Sequence, residues 1–217
     1  MSLRLHRGGK FRRWLGARLG GDFELGDRVW RRALHMIGAV VLVYYALPTN
    51  FFVVAPKAYI LLAALAAVLV VEGLRHAVGL ELPTIRPYEK GRIGSFAIFG
   101  VAIVAAILIF PVPIASAVIL GTAIVDPLAG ELRANVRFRR IDALAPFALY
   151  AGLAFIGLAV LGRWAPLPSV PLAVIAAAIA VAVERPKVWW IDDDLAMTLV
   201  PAVALYLIAI VALGFPT

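Results

Sequence analysis

Most of this chain consists of apolar stretches long enough to enter a bilayer, and that property constrains its fold more than any motif does. A membrane-spanning α-helix needs about 20 mainly apolar residues, and lipid-exposed irregular backbone is not tolerated in hydrocarbon. Of 217 residues, 63% are hydrophobic and only 16% are charged. The chain therefore has room for about seven spans joined by short loops, with no appended water-soluble catalytic domain. The pattern predicts spans near residues 33–47, 56–74, 94–110, 114–130, 143–161, 170–183 and 195–213. Some are short, so tilt or local thinning of the bilayer is expected. The predicted fold class is all-α, a polytopic integral membrane helical bundle. Residues 1–32 form a basic arm and 33–217 the membrane-embedded domain.

Charge placement orients the bundle. The loops predicted after the second, fourth and sixth spans hold Arg75, Arg86, Lys90, Arg92, Arg133, Arg137, Arg139, Arg140, Arg185 and Lys187, whereas the alternate loops hold only Lys57 and Arg163. By the positive-inside rule the N-terminus is cytoplasmic. The net charge of +8 then reflects arginines beside spans, and nucleic acid is not an expected partner. Within the arm, Phe11, Trp14, Leu15 and Leu19 recur at helical spacing among arginines. That suits a helix lying on anionic phospholipid, although a basic tail broken by Gly8, Gly9, Gly20 and Gly21 fits as well. No apolar stretch precedes the first span, so no cleavable signal is expected. With no Cys there is neither a disulfide frame nor thiolate chemistry. The expected location is the plasma membrane in a prokaryote or the endoplasmic reticulum in a eukaryote, with the active site facing the cytoplasm.

Every acid beyond the arm falls on that same basic side, among them Glu72, Glu89, Asp126, Glu131 and Asp192 to Asp194. Asp126 is the sharpest of these, because a carboxylate inside an apolar span is costly unless paired or hydrated. Pro127 follows it directly, which predicts a kinked or broken helix there. Asp126 with Glu131 offers hard oxygen ligands to a divalent cation; an ion pair with an arginine of another span is the purely structural alternative. Arg32 and His35 lie one turn apart at the start of the first span, placed to grip a phosphate or relay a proton. Glu72 and Arg75 form an i, i+3 pair. Gly94, after Glu89 and ahead of the third span, is placed to bring backbone N–H groups to a phosphate.

These blocks, in order, resemble the membrane kinase family of dolichol kinase, phytol kinase and the CTP-dependent diacylglycerol kinase. The matching pieces are Arg32-Ala-Leu-His35, Glu72-Gly-Leu-Arg75, Glu89 with Gly94 and Gly100, Asp126-Pro-Leu-Ala129, and Glu184 followed by Asp192-Asp193. They run from about residue 31 to 200. The resemblance implies phosphoryl transfer from a nucleoside triphosphate, CTP in particular, to the hydroxyl of a membrane lipid alcohol such as a polyprenol or dolichol, with Mg²⁺ or another divalent cation. Carried over by position, Asp126 is the key acid, with Asp192 and Asp193 a second acidic element; on the kinase reading Asp126, Glu131 and His35 are the expected catalytic residues, and Asp126, Asp192 and Asp193 the metal ligands. Arg32, Arg133, Arg139, Arg140 and Gly94 are the expected phosphate contacts, with Glu72, Arg75 and Glu89 supporting them. Three departures stand out. Val125 replaces the family's usual Gly, the Lys-Ser/Thr-x-Glu-Gly run has only Arg139-Arg140-Ile-Asp142-Ala in its place, and the tail motif reads Asp192-Asp193-Asp194-Leu195-Ala196. Cytidylyl transfer onto a lipid phosphate and a non-catalytic lipid-binding relative are the alternatives, ahead of a transporter.

Overall fold

The computed structural model describes residues 32–51, 55–79, 85, 91–134, 141–184 and 192–215. The described part is all-helical apart from a two-residue antiparallel pairing, β1 (Asn50–Phe51) with β2 (Ala55–Pro56). In chain order the helices are α1 (Arg32–Ala46), α2 (Ala58–Val78), α3 (Ser95–Ile109), α4 (Val112–Ala134), α5 (Leu144–Leu161), α6 (Pro166–Glu184) and α7 (Asp193–Ala212). One helix lies in each apolar stretch marked out by the sequence. Five of them, α2, α4, α5, α6 and α7, are long and apolar enough to cross a membrane; α1 and α3 are shorter. In α1 the segment Gly38–Ala46 is 3₁₀-helical. At roughly 2.0 Å rise per residue instead of 1.5 Å, Arg32–Ala46 reaches about 27 Å where an α-helix of the same residues would reach about 22 Å. Local overwinding thus offsets much of its shortness.

Of the kink or break expected at Pro127, the break is absent: the helix runs from Val112 to Ala134 with Pro127 inside it. Pro171 and Pro201 likewise sit inside α6 and α7. The buried surroundings tolerate this by re-satisfying what proline frees. Pro201 cannot donate to the Met197 carbonyl one turn back. The Thr122 and Tyr150 hydroxyls donate to that carbonyl instead, at 3.1 and 3.2 Å. Two neighbouring helices are thereby tied to α7 at one point.

The core lies around α4, which packs against α1, α3, α5 and α7. Its buried residues, Ile114, Ala115, Ala117, Val118 and Ile119, meet Tyr150 and Leu158 of α5 and Met197 and Leu205 of α7. Helices packed in lipid gain nothing from burial away from water, so a bundle of this apolar kind would depend on close packing and hydrogen bonds. Gly121 is needed for this: a Cβ there would collide with the Tyr150 ring that packs across it. Contacts at one end show alternating helix directions. Gly162, after α5, lies against Pro113 at the start of α4, and Phe110 after α3 meets Tyr206 late in α7. Consequently the start of α1, the end of α2, the start of α3, the end of α4 and the start of α7 gather at the other end.

Candidate functional site

Three ionisable side chains from three helices converge at that end. His35, in the first turn of α1, places Nε2 2.9 Å from Oδ1 of Asp194 and 3.8 Å from Oδ2 of Asp126. The donor atoms of the three residues all lie within 4.8 Å of one another. His35 and Asp194 are buried, with side-chain exposures of 8% and 7%, whereas Asp126 retains 23%. Asp126 is therefore the open side of the group. Nε2 is buried, with Asp194 its nearest partner and Asp126 the second carboxylate facing it.

Local structure explains each placement. The His35 ring is stacked on Phe99 of α3, 4.4 Å between centroids and 5° from parallel. Gly38, one turn on, permits this contact, since a Cβ there would come within 2.6 Å of Phe99 Cε1. Asp192 is the N-cap of α7 and its side chain accepts the Asp194 N–H at 3.0 Å, which satisfies an otherwise orphaned amide. Asp194 then begins the buried stripe Asp194, Met197, Thr198, Pro201 and Leu205, the i, i+3, i+4 spacing of a helix face turned inward. Asp126 lies on the last turns of α4, before the helix leaves the bundle at Ala134.

A second polar cluster joins α2 to α3. Arg75 donates from Nε and Nη2 to the two carboxylate oxygens of Glu72, at 2.8 and 2.7 Å. It also donates to the Arg92 carbonyl. The Gly94 N–H, at the N-cap of α3, donates to Glu72 Oε1 at 2.8 Å, and His76 Nε2 lies 3.2 Å from the same oxygen. Both Glu72 and Arg75 are buried. This is a closed network that holds the start of α3, and with it Phe99.

The expected site residues therefore separate into groups. His35 and Asp126 meet; Asp194 joins them where the sequence pointed to Asp192 and Asp193. Asp192 caps the helix, and Asp193 stands beside it in the first turn. Helical register was the available signal, because only Asp194 of the three is in phase with Met197, Thr198 and Pro201. Glu131 lies away from Asp126 and pairs with Arg32 across the α1–α4 contact. The Gly94 amide is engaged by Glu72. Glu89, Arg139, Arg140 and the side chain of Arg133 lie outside the described residues. Phe99 and Gly38 carry no chemistry of their own and were invisible as site residues in the sequence.

One imidazole nitrogen and two carboxylate oxygens form a donor set suited to a divalent cation. The buried Nε2 directed at both acids is the observation in favour of that fit. No protein-family profile, curated protein or solved structure matches the chain.

Proposed function

We propose that this protein is a lipid-alcohol kinase of the membrane, using a nucleoside triphosphate, CTP by preference, with a divalent cation at its cytoplasmic face. The observation that carries the reading is the convergence of His35, Asp126 and Asp194 at one end of an apolar bundle. Intramembrane acids are expensive and mark functional sites by default. In this reading all seven helices cross the bilayer, the N-terminus is cytoplasmic, and the basic arm rests on anionic phospholipid. The triad then lies at the depth where a lipid hydroxyl meets water.

The chemistry asks for positioning and charge neutralisation more than for covalent participation. The lipid hydroxyl oxygen attacks the γ-phosphorus, the bond to the β,γ-bridging oxygen breaks, and a nucleoside diphosphate leaves. Asp126, the accessible member of the triad, accepts the hydroxyl proton. His35, Asp126 and Asp194 would hold the cation, which when bound supplies neutralising charge to the transferred phosphoryl group. Arg32, near the open side and paired to Glu131, orients phosphate oxygens together with Arg133, Arg139 and Arg140. The lipid tail stays in hydrocarbon and enters between α1 and α2, whose outward residues Leu34, Ile37, Leu69 and Val70 are exposed.

Cytidylyl transfer to a lipid phosphate would use the same donor and interface, and the product separates the two. Purified protein in lipid nanodiscs, supplied with γ-labelled CTP, Mg²⁺ or Mn²⁺ and a polyprenol, should yield labelled polyprenyl phosphate. Asp126→Asn should abolish the transfer while size-exclusion profile and helical circular dichroism stay unchanged. Undiminished turnover in that variant refutes the assignment, and a labelled CDP-lipid formed from α-labelled CTP and a lipid phosphate replaces it with the cytidylyl reading.

A further inference from the structure

We infer that the His35–Asp126–Asp194 centre is built for a first-row transition cation, Mn²⁺ foremost, and not for Mg²⁺. This rests on the reading of the triad as a cation site, though not on phosphoryl transfer itself. Mg²⁺ demands near-ideal octahedral oxygen coordination and is bound through one or two carboxylates with several retained waters. A centre evolved for it gains nothing from a nitrogen donor. Here the nitrogen is the most constrained atom in the group. His35 is 6% exposed, its ring is clamped flat on Phe99, and Nε2 faces two carboxylates, 2.9 Å from Asp194 and 3.8 Å from Asp126.

Imidazole favours the borderline cations; affinity rises from Mn²⁺ to Cu²⁺ and falls at Zn²⁺, so ligand type and not raw affinity selects among them. Two carboxylates to one imidazole keep the set hard enough for Mn²⁺, the member of the row that carboxylate oxygens suit best. The burial of the nitrogen adds a further reason. An imidazole in this position costs desolvation whether or not it is protonated, and a cation with real affinity for nitrogen offsets that cost. Phe99 and Gly38 belong to the same device: ring orientation decides where the Nε2 lone pair points, and outer-shell support of this kind commonly changes metal affinity by about 10- to 100-fold.

The test uses the full-length protein in nanodiscs with Mn²⁺ alone, read by electron paramagnetic resonance. One Mn²⁺ per chain should bind, with ¹⁴N modulation in the electron spin-echo envelope, and Mg²⁺ should displace it only in roughly 100-fold excess. His35→Asp, which keeps three donors but makes all of them oxygen, should lose the nitrogen signal and let Mg²⁺ compete near equal concentration. Phe99→Leu should keep the nitrogen signal while weakening Mn²⁺ binding about 10-fold. Binding without nitrogen modulation, equal competition by Mg²⁺ in the unaltered protein, or no bound Mn²⁺ at all would each overturn the inference. Nitrogen-coordinated Mn²⁺ in a protein that transfers no phosphate leaves the inference standing and removes the kinase reading. Phosphoryl transfer supported by Mg²⁺ with no nitrogen coupling does the reverse.

Discussion

Two polar clusters lie at the same end of the bundle, and they differ in how their charges are met. Around Glu72 and Arg75 every strong group has a partner: two charge-assisted bonds join the side chains, and the Gly94 amide and Arg92 carbonyl take up further capacity. Around His35 the approach to Asp194 is 2.9 Å, while Asp126 stands off at 3.8 Å and keeps a part-exposed side. Both clusters face the same penalty for burying charge. The first meets it internally and so fixes α2 to α3. The second sets one nitrogen and two carboxylate oxygens within 4.8 Å of one another with Asp126 part-exposed, an arrangement suited to a cation.

That contrast can be broken from either side. The largest effect is expected at the closed cluster, where Glu72→Ala strands a buried guanidinium. The loss should be about 3–5 kcal/mol of stability, seen as a lowered midpoint in thermal or SDS unfolding of the reconstituted protein. A change below 1 kcal/mol would mean that lipid or water reaches Arg75 and that the lock is not closed. Next comes the open cluster. Asp194→Asn should lower phosphoryl transfer by about 10²–10³-fold. Its effect on unfolding should stay within about 1 kcal/mol, the scale of a charge in a helix first turn. Equal damage to stability and activity would make the triad a second lock.

Smaller perturbations sharpen the boundary between the two clusters. Gly38→Ala pushes on the Phe99 ring, and overpacking of this kind costs about 1–3 kcal/mol. It should also weaken Mn²⁺ binding, and Phe99→Leu in the same chain should relieve the strain without restoring the affinity. The smallest expected effect lies in the core, at Thr122→Val. Tyr150 still donates to the Met197 carbonyl, so about 1 kcal/mol should be lost, with catalysis unaltered. A larger cost would show that the proline-freed carbonyl needs both hydroxyls.

The helices were legible because a bilayer-sized apolar run leaves few structural choices. The seven stretches coincide with α1 to α7, although the 3₁₀ segment of α1 and the continuity of α4 through Pro127 were not foreseen. Proline is a poor guide inside a packed membrane helix, since neighbours can satisfy the carbonyl that it frees, as Thr122 and Tyr150 do for Pro201. Of the candidate site, Asp126 and His35 were legible one at a time, each as a polar residue out of keeping with its surroundings. Their meeting was not, and neither was the diversion of Glu131 to Arg32 or of the Gly94 amide to Glu72.

By itself the amino-acid order determined where the chain turns helical and which end of the bundle collects its charge, because the penalty for polar groups in hydrocarbon acts residue by residue. The tertiary structure alone decided which charges face one another. Helices that are apolar on nearly every side carry little sequence record of their rotation about their own axes. That rotation is set by close packing at Gly38, Gly121 and Tyr150, and it is what brings Asp194, rather than Asp192 or Asp193, against the His35 ring.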